Sequence, residues 1–405
     1  MRTSEIYTNS LARFYTEQDV SGLLISKLSP KKPRTILDLG CGEGALAIPA
    51  IQRWTDAKLY TVDIDSQIKS GLSPRNKQRH VHITADVLDP NFHKKLGIRR
   101  GSIDVAVCNP PYIKVRWRKY YQSLLEEVGI RNFEATTELC ADLIFLAQNL
   151  RFLREGGVAG LIVPDGIITG ERSKRIREAL LLHYTIERVI QLPRHAFLKT
   201  EAQTHILVIS KRKGSSKRIR VDELQDDGVL SEPLYISRKE GIERLDYSYH
   251  RNSSKGDKCA PNKKYLGNVL EFLKRGNVEM AKAQSEGLPV FHTTHFSRCG
   301  ANHFLDVPAD LQVTTSLKSK GYFIAQEGDI LIGRVGRNYE QQICMITGGE
   351  VILTDCVFCL RVLPNKRRQV FKALVSDHGR AWLKGVGRGV GARYLSAHTL
   401  LEFPL

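Results

Sequence analysis

The sequence predicts an α/β protein: a doubly wound, largely parallel sheet followed by a second, smaller module of β-rich or α+β character. Three observations carry this. Short apolar strands alternate with helical segments from residue 36 to residue 209, the pattern of strand–helix–strand crossovers. A glycine-rich turn follows the first strand, at the edge where open sheets of this kind hold ligands. Beyond residue 212 the alternation is gone, and from about residue 263 the chain carries short strand-like pieces and glycine turns such as 328–337. A length of 405 residues also exceeds what one core usually organises.

Strands are expected at 35–39, 59–63, 81–84, 103–107, 158–163, 185–190 and 205–209. A helix should follow the glycine turn over 45–54. The clearest helix spans 138–154, where the spacing of Leu139, Asp142, Leu143, Leu146, Leu150 and Leu153 puts apolar groups on one face. The polar, basic stretch 211–218 reads as a linker start or a contact strip. The expected organisation is therefore a catalytic domain over 1–212, a linker over 213–262 and a second domain over 263–405.

Composition narrows the class. Hydrophobic residues make up 42% and charged residues 26%, which suits a globular chain rather than a disordered one. No apolar run reaches the ~20 residues that span a membrane, and the N-terminus has no signal-peptide pattern, so a cytoplasmic protein with no membrane association is expected. The eight cysteines have no framework-like spacing and read as reduced thiols. Cys356 and Cys359 form one C-x-x-C inside 351–362, which looks like a buried strand; with no second pair, no metal site is expected. Net charge is +18, and residues 1–200 and 251–405 each carry a surplus of nine. A polyanion held between two domains would explain that distribution, because cationic faces gain affinity by releasing phosphate counterions; an unspecialised basic surface would also account for it.

The first strand ends in Asp38-Leu39-Gly40-Cys41-Gly42-Glu43-Gly44. Glycines let backbone approach a ligand. The G-x-G-x-G spacing is tighter than the G-x-G-x-x-G of dinucleotide enzymes and suits a ligand without phosphate, its amino-acid part packed on Gly40 and Gly42. Asp63, at the next strand tip, can accept ribose hydroxyls. Asp86 can accept from an adenine amine, with Ile64 and Val87 on either side of the ring. Either acid can instead be a helix N-cap.

The fourth strand ends in Asn109-Pro110-Pro111-Tyr112. The exocyclic amine of adenine is a weak nucleophile because its lone pair is delocalised. It needs acceptors on both N–H bonds as the new bond forms. The Asn109 side-chain oxygen and the Pro110 carbonyl can supply them, and the prolines fix the corner. Tyr112 can stack on an extracted base. Lys114, Arg116 and Arg118, interleaved with aromatics, suit phosphate contact or make an ordinary solvated helix start.

Together these residues resemble the amino-group DNA methyltransferases of prokaryotic restriction–modification systems, of the N6-adenine type and in the motif order of the gamma class. The likeness covers roughly residues 10–210 and includes Phe14-Tyr15-Thr16 with Val20, Val163-Pro164-Asp165-Gly166 and Phe197. It implies a Rossmann-like sheet that uses S-adenosyl-L-methionine, with Tyr15 and Thr16 in the cofactor pocket and Phe197 stacking on a flipped adenine. Glu17 stands where the family has proline. The second domain is similar to a target-recognition domain of type I specificity subunits, through 244–249, 265–270, Arg275-Gly276, 328–332 and 391–396. Arg334, Arg337 and Arg393 are its candidate DNA contacts. The resemblance implies double-stranded DNA as substrate and, if cleavage occurs, a separate restriction endonuclease chain, since no nuclease motif is present. Other N-P-P-Y families methylate a protein glutamine or guanine N2 of RNA. A catalytically inactive DNA-specificity module is the remaining alternative.

Overall fold

The computed structural model describes residues 18–68, 79–131, 133, 137–194, 196–197, 203–212, 218–255, 264–300, 302–389 and 393–405. The chain divides into two compact units, Met1–Tyr247 and Ser248–Leu405.

All seven expected strands are present in the first unit. In chain order they are β1 (Thr35–Leu39), β2 (Lys58–Asp63), β3 (His80–Thr84), β4 (Ile103–Cys108), β7 (Leu153–Pro164), β8 (Thr185–Gln191) and β9 (Thr204–Ser210). A short ribbon, β5 (Lys114–Arg116) with β6 (Glu138–Cys140), lies apart, and β10 (Arg218–Glu223) and β11 (Leu234–Ser237) complete the set. The main sheet has the order β11-β10-β8-β9-β7-β4-β1-β2-β3. Within it β9 and β11 run antiparallel to their neighbours, and the other neighbouring pairs are parallel.

The central strands are near-continuous apolar runs because both faces are covered. Successive residues alternate between two cores: Leu37, Ala106 and Leu207 face one, and Ile36, Val105 and Ile206 face the other. Helices α1 (Gln18–Ser26) and α2 (Ala47–Arg53) cover the second face. The first is covered by α3 (Phe92–Leu96), α4 (Lys119–Glu127), α5 (Ala141–Phe152), α6 (Asp165–Thr169) and α7 (Lys174–His183), with α8 (Arg238–Glu243) beside α7.

Two expectations are corrected. The stretch taken for a linker, 213–262, carries β10, β11 and α8, which extend the sheet. Its charges hid the strand: Asp222 is fully buried on β10, paired with Arg188 of β8 at 2.7 Å and with Arg220 at 2.9 Å. The helix expected over 138–154 begins at Ala141, because Glu138 to Cys140 pair with β5 instead.

The second unit is α+β. A five-stranded sheet, a three-stranded sheet and a two-stranded ribbon pack with helices Arg367–Val375 and Asp377–Val386 around their own apolar cores. The segment 351–362 is two strands, Glu350–Leu353 and Val357–Val362, with Cys356 in the turn between them and Cys359 in the second. Among the described residues no cluster of His, Cys, Asp and Glu could hold a metal, and no helix is long and apolar enough to cross a membrane.

Candidate active site

Strands β1 to β4 are parallel and end at one edge of the sheet, and there the site is assembled. The chain must leave the core abruptly after Leu39, which it does at Gly40. Its φ is +73°, and a Cβ there would stand 3.1 Å from Cε1 of Phe145, so both backbone and neighbour require glycine. Asp63 ties the strand ends together. Its Oδ2 accepts from the Gly42 amide at 2.9 Å and its Oδ1 from the Asp65 amide at 3.0 Å. After β3, Oδ1 of Asp86 accepts from the Leu88 amide at 2.8 Å and shapes the next turn.

These turns open on one cavity. Asp38, Gly40, Gly42, Asp63, Ile64, Asp86 and Val87 line it, and so do Asn109, Pro110 and Pro111. The glycine turn, both acids and the proline corner therefore face a shared space. Tyr15 and Thr16 lie outside the described residues.

Asp38 is strongly perturbed. It is 1% exposed, and among the described residues neither carboxylate oxygen has a hydrogen-bond partner. Burial, and then the charge of Asp63, push its carboxyl up to about 8, against a weaker opposing pull from the Ala47 amide. A buried carboxylate with unsatisfied acceptors fits a ligand bearing a cationic or N–H donor group.

Asn109 is half-buried and faces the cavity. The Tyr112 hydroxyl donates to its Oδ1 at 3.1 Å and also lies 3.3 Å from the Ile162 carbonyl on β7. Tyr112 is turned toward β7 and is not among the residues lining the cavity. Burial and the nearby Asp142 carboxylate push its phenol up, so it remains a neutral donor. Phe197 also lies away from the cavity lining: it is 3% exposed and packs in the core beneath α1 and α2.

Arg116 and Arg118 are exposed at the cavity, and Lys114, exposed too, shares β5 with Arg116. In the second unit the ribbon pairs Gly336 with Arg393 and Val335 with Tyr394, and Leu395 donates to the Arg334 carbonyl at 2.8 Å. This brings Arg334, Arg337 and Arg393 onto one small feature. Arg334 is partly engaged already, its Nε donating to the Asp355 carbonyl at 2.7 Å.

Sequence reasoning missed the contribution of α5. Phe145 lines the cavity against Gly40. Gln148, one turn on, donates to the Val87 carbonyl at 3.3 Å. Asp142 is buried at the start of the helix, its carboxyl pushed up to about 6 by burial. The sequence showed a core helix through its leucine face, and nothing in that pattern singled out Phe145 or Gln148.

A family model described as N-6 DNA Methylase matches residues 5–261. Among curated proteins, the chain is 26% identical over 235 residues to the type I restriction enzyme EcoEI methylase subunit of Escherichia coli, covering 53% of this chain and 46% of that one. It is 28% identical over 219 residues to the type I restriction enzyme MpnII methylase subunit of Mycoplasma pneumoniae, covering 49% and 40%. The chain thus spans less than half the length of these two relatives. Among solved structures, the type IIG restriction endonuclease BpuSI shares the fold with a TM-score of 0.51 at 13% identity, over 96% of this chain and 58% of that one.

Proposed function

Because the chain belongs to the N-6 DNA methylase family, we propose that it transfers a methyl group from S-adenosyl-L-methionine to the N6 amine of an adenine swung out of double-stranded DNA. One observation carries the reading: the glycine turn, the acids at two strand tips and the Asn109-Pro110-Pro111 corner line a single cavity. A cofactor and a nucleobase amine can therefore meet without rearrangement of the sheet.

The residues fit the cofactor. Asp38, with its unpartnered oxygens, suits a cationic amino group, Asp63 the ribose, and Asp86 with Ile64 and Val87 the adenine ring. When bound, S-adenosyl-L-methionine supplies an electrophilic methyl on sulfur. The chain's own part is to activate the nucleophile. Oδ1 of Asn109, which the Tyr112 hydroxyl orients, accepts one N–H of the amine; the Pro110 carbonyl accepts the other. Both acceptors are fixed before the base arrives, so little reorganisation accompanies bond formation. Tyr112, turned toward β7, acts on this corner through its hydroxyl, which donates to Oδ1 of Asn109.

The second unit is assigned the reading of DNA sequence, with the arginine-bearing ribbon as its contact. A fold likeness to a restriction endonuclease that spans 96% of this chain supports that assignment. A role in restriction–modification is supported by the methylase subunits to which this chain is similar, and any cleavage is assigned to a separate chain.

The deciding experiment incubates the protein with methyl-labelled S-adenosyl-L-methionine and, in turn, duplex DNA, RNA and protein. Label is expected in DNA alone, as N6-methyladenine after digestion. Label confined to RNA or protein would replace the substrate, and label in none of them would leave a DNA-specificity module.

A further inference from the structure

We propose that the amino edge of the main sheet, opposite the cavity, is a second nucleic-acid contact that holds a separate stretch of duplex by its phosphates; the choice of DNA as the polyanion rests on the methyltransferase reading above. Parallel strands of five or six residues put their amino ends roughly 16–20 Å from the carboxyl ends that form the cavity. Four neighbours, β9-β7-β4-β1, meet at this far edge in unbroken order. Antiparallel β9 arrives there with its last residue, Ser210, which pairs with Val158 of β7. Lys31, Lys32 and Arg34 precede β1, Arg99 precedes β4 and Arg212 follows β9, and all five are exposed. Close contacts tie them into one surface. The Arg34 amide donates to Oδ2 of Asp104 at 2.8 Å, and Arg154 of β7 pairs with the other oxygen. The Ser102 hydroxyl donates to the Arg99 carbonyl at 2.6 Å, and the Thr35 hydroxyl lies 3.1 Å from the Ser102 carbonyl. A Cβ at Gly156 would stand 3.3 Å from Nη1 of Arg154 and 3.7 Å from Nε of Arg212. At about 4.8 Å per strand the row spans roughly 14 Å.

The ordinary reason for basic residues at this edge is that helices end here, and their carbonyl ends attract cations. Some residues serve that purpose. Lys211 donates to the Leu150 and Leu153 carbonyls at 3.2 and 2.9 Å, at the end of α5, and Arg238 donates to the Leu181 carbonyl of α7 at 2.7 Å. Others are neutralised, as Glu127 pairs with both Arg100 and Arg151. Among the described residues, the side chains of Lys31, Lys32, Arg34, Arg99 and Arg212 have neither kind of partner. Asp104, at the centre of the row, is 9% exposed and already engaged, so its charge is turned inward. Exposed Glu155 offsets one charge at the same edge. The remaining surplus is relieved by a row of phosphates, which releases counterions. An acidic protein would have to match the row's spacing, whereas a duplex offers a charge about every 1.7 Å of its axis whatever its sequence. A straight duplex seated across the cavity does not reach the amino edge. The segment held there is therefore a second one, and the chain bridges the two.

The test uses the full chain, beads carrying sheared bacterial genomic DNA, and labelled duplex of the same source free in solution. At low salt the chain is expected to retain the label on the beads, with retention falling steeply as salt rises. Lys31→Glu, Lys32→Glu and Arg34→Glu combined should cut retention by about tenfold or more. Single-turnover methylation of the free duplex by that variant should stay close to wild type, because none of the three lines the cavity, and it shows the variant to be folded. Arg99→Gln with Arg212→Gln, on neighbouring strands, should weaken retention in the same direction. No retained label, from a chain that methylates DNA, overturns the second contact and leaves the methyltransferase reading standing. So does retention that survives the triple charge reversal. Retention by a chain that methylates no DNA keeps the second contact and removes the methyltransferase reading.

Discussion

At Asn109, replacing the carboxamide by a methyl group removes an acceptor but not the proline corner that holds the cavity's shape. Asn109→Ala should lower turnover by about a hundredfold or more, the scale of losing one preorganised electrostatic partner. Calorimetric cofactor affinity should change little, and retained turnover would mean the acceptor lies elsewhere. Asp38 gives a prediction of a different kind. Its carboxyl is raised from 3.8 to about 8, so the folded chain holds this proton more tightly than the unfolded chain. The stabilisation this gives is complete below pH 3.8 and is lost as pH climbs to about 8. Asp38→Asn has no such proton to lose. Relative to the ligand-free wild type, its melting temperature should rise progressively across that interval while cofactor binding weakens. A constant offset across the interval would show that Asp38 is ionised throughout.

Helix α5 is the element that joins the parts of the site. Phe145 sits against the glycine turn, and Gln148 holds the turn after β3 through the Val87 carbonyl. Gln148→Leu keeps the helix and its volume but leaves that carbonyl without its donor. A loss of about 1 kcal/mol is expected, read as roughly fivefold weaker cofactor binding with kcat nearly unchanged; a fall in kcat instead would move Gln148 into the chemistry. Legibility varied between elements for physical reasons. The strand ends were readable, because a glycine turn, two strand-tip acids and Asn109-Pro110-Pro111-Tyr112 are local signals. α5 was readable as a helix but not as part of the site, since a residue that acts by packing looks like any core residue. β10 was missed because buried Asp222, neutralised by arginines from two strands, reads as a solvated charge. Tyr112 was expected to face the base, but it points toward β7, where the Ile162 carbonyl and Oδ1 of Asn109 offer acceptors to its hydroxyl.

On the scale of the whole chain, each unit has its own apolar cores. Residues 1–247 expressed alone should therefore fold cooperatively and bind cofactor as the full chain does, while losing preference for any DNA sequence. A fragment that still methylates one short sequence selectively would place recognition in the first unit. The sheet order has a further consequence. β7 lies between β4 and β9, and β9 is made last of the three. A nascent chain that has emerged past Pro164 but not to Thr204 displays the outer margin of β7 with its backbone donors and acceptors unmatched, an invitation to intermolecular pairing. Ribosome-stalled chains arrested in that interval should recruit chaperones more strongly than chains arrested beyond Ser237, by which point β9 has filled the gap and the short antiparallel β11 has closed the margin.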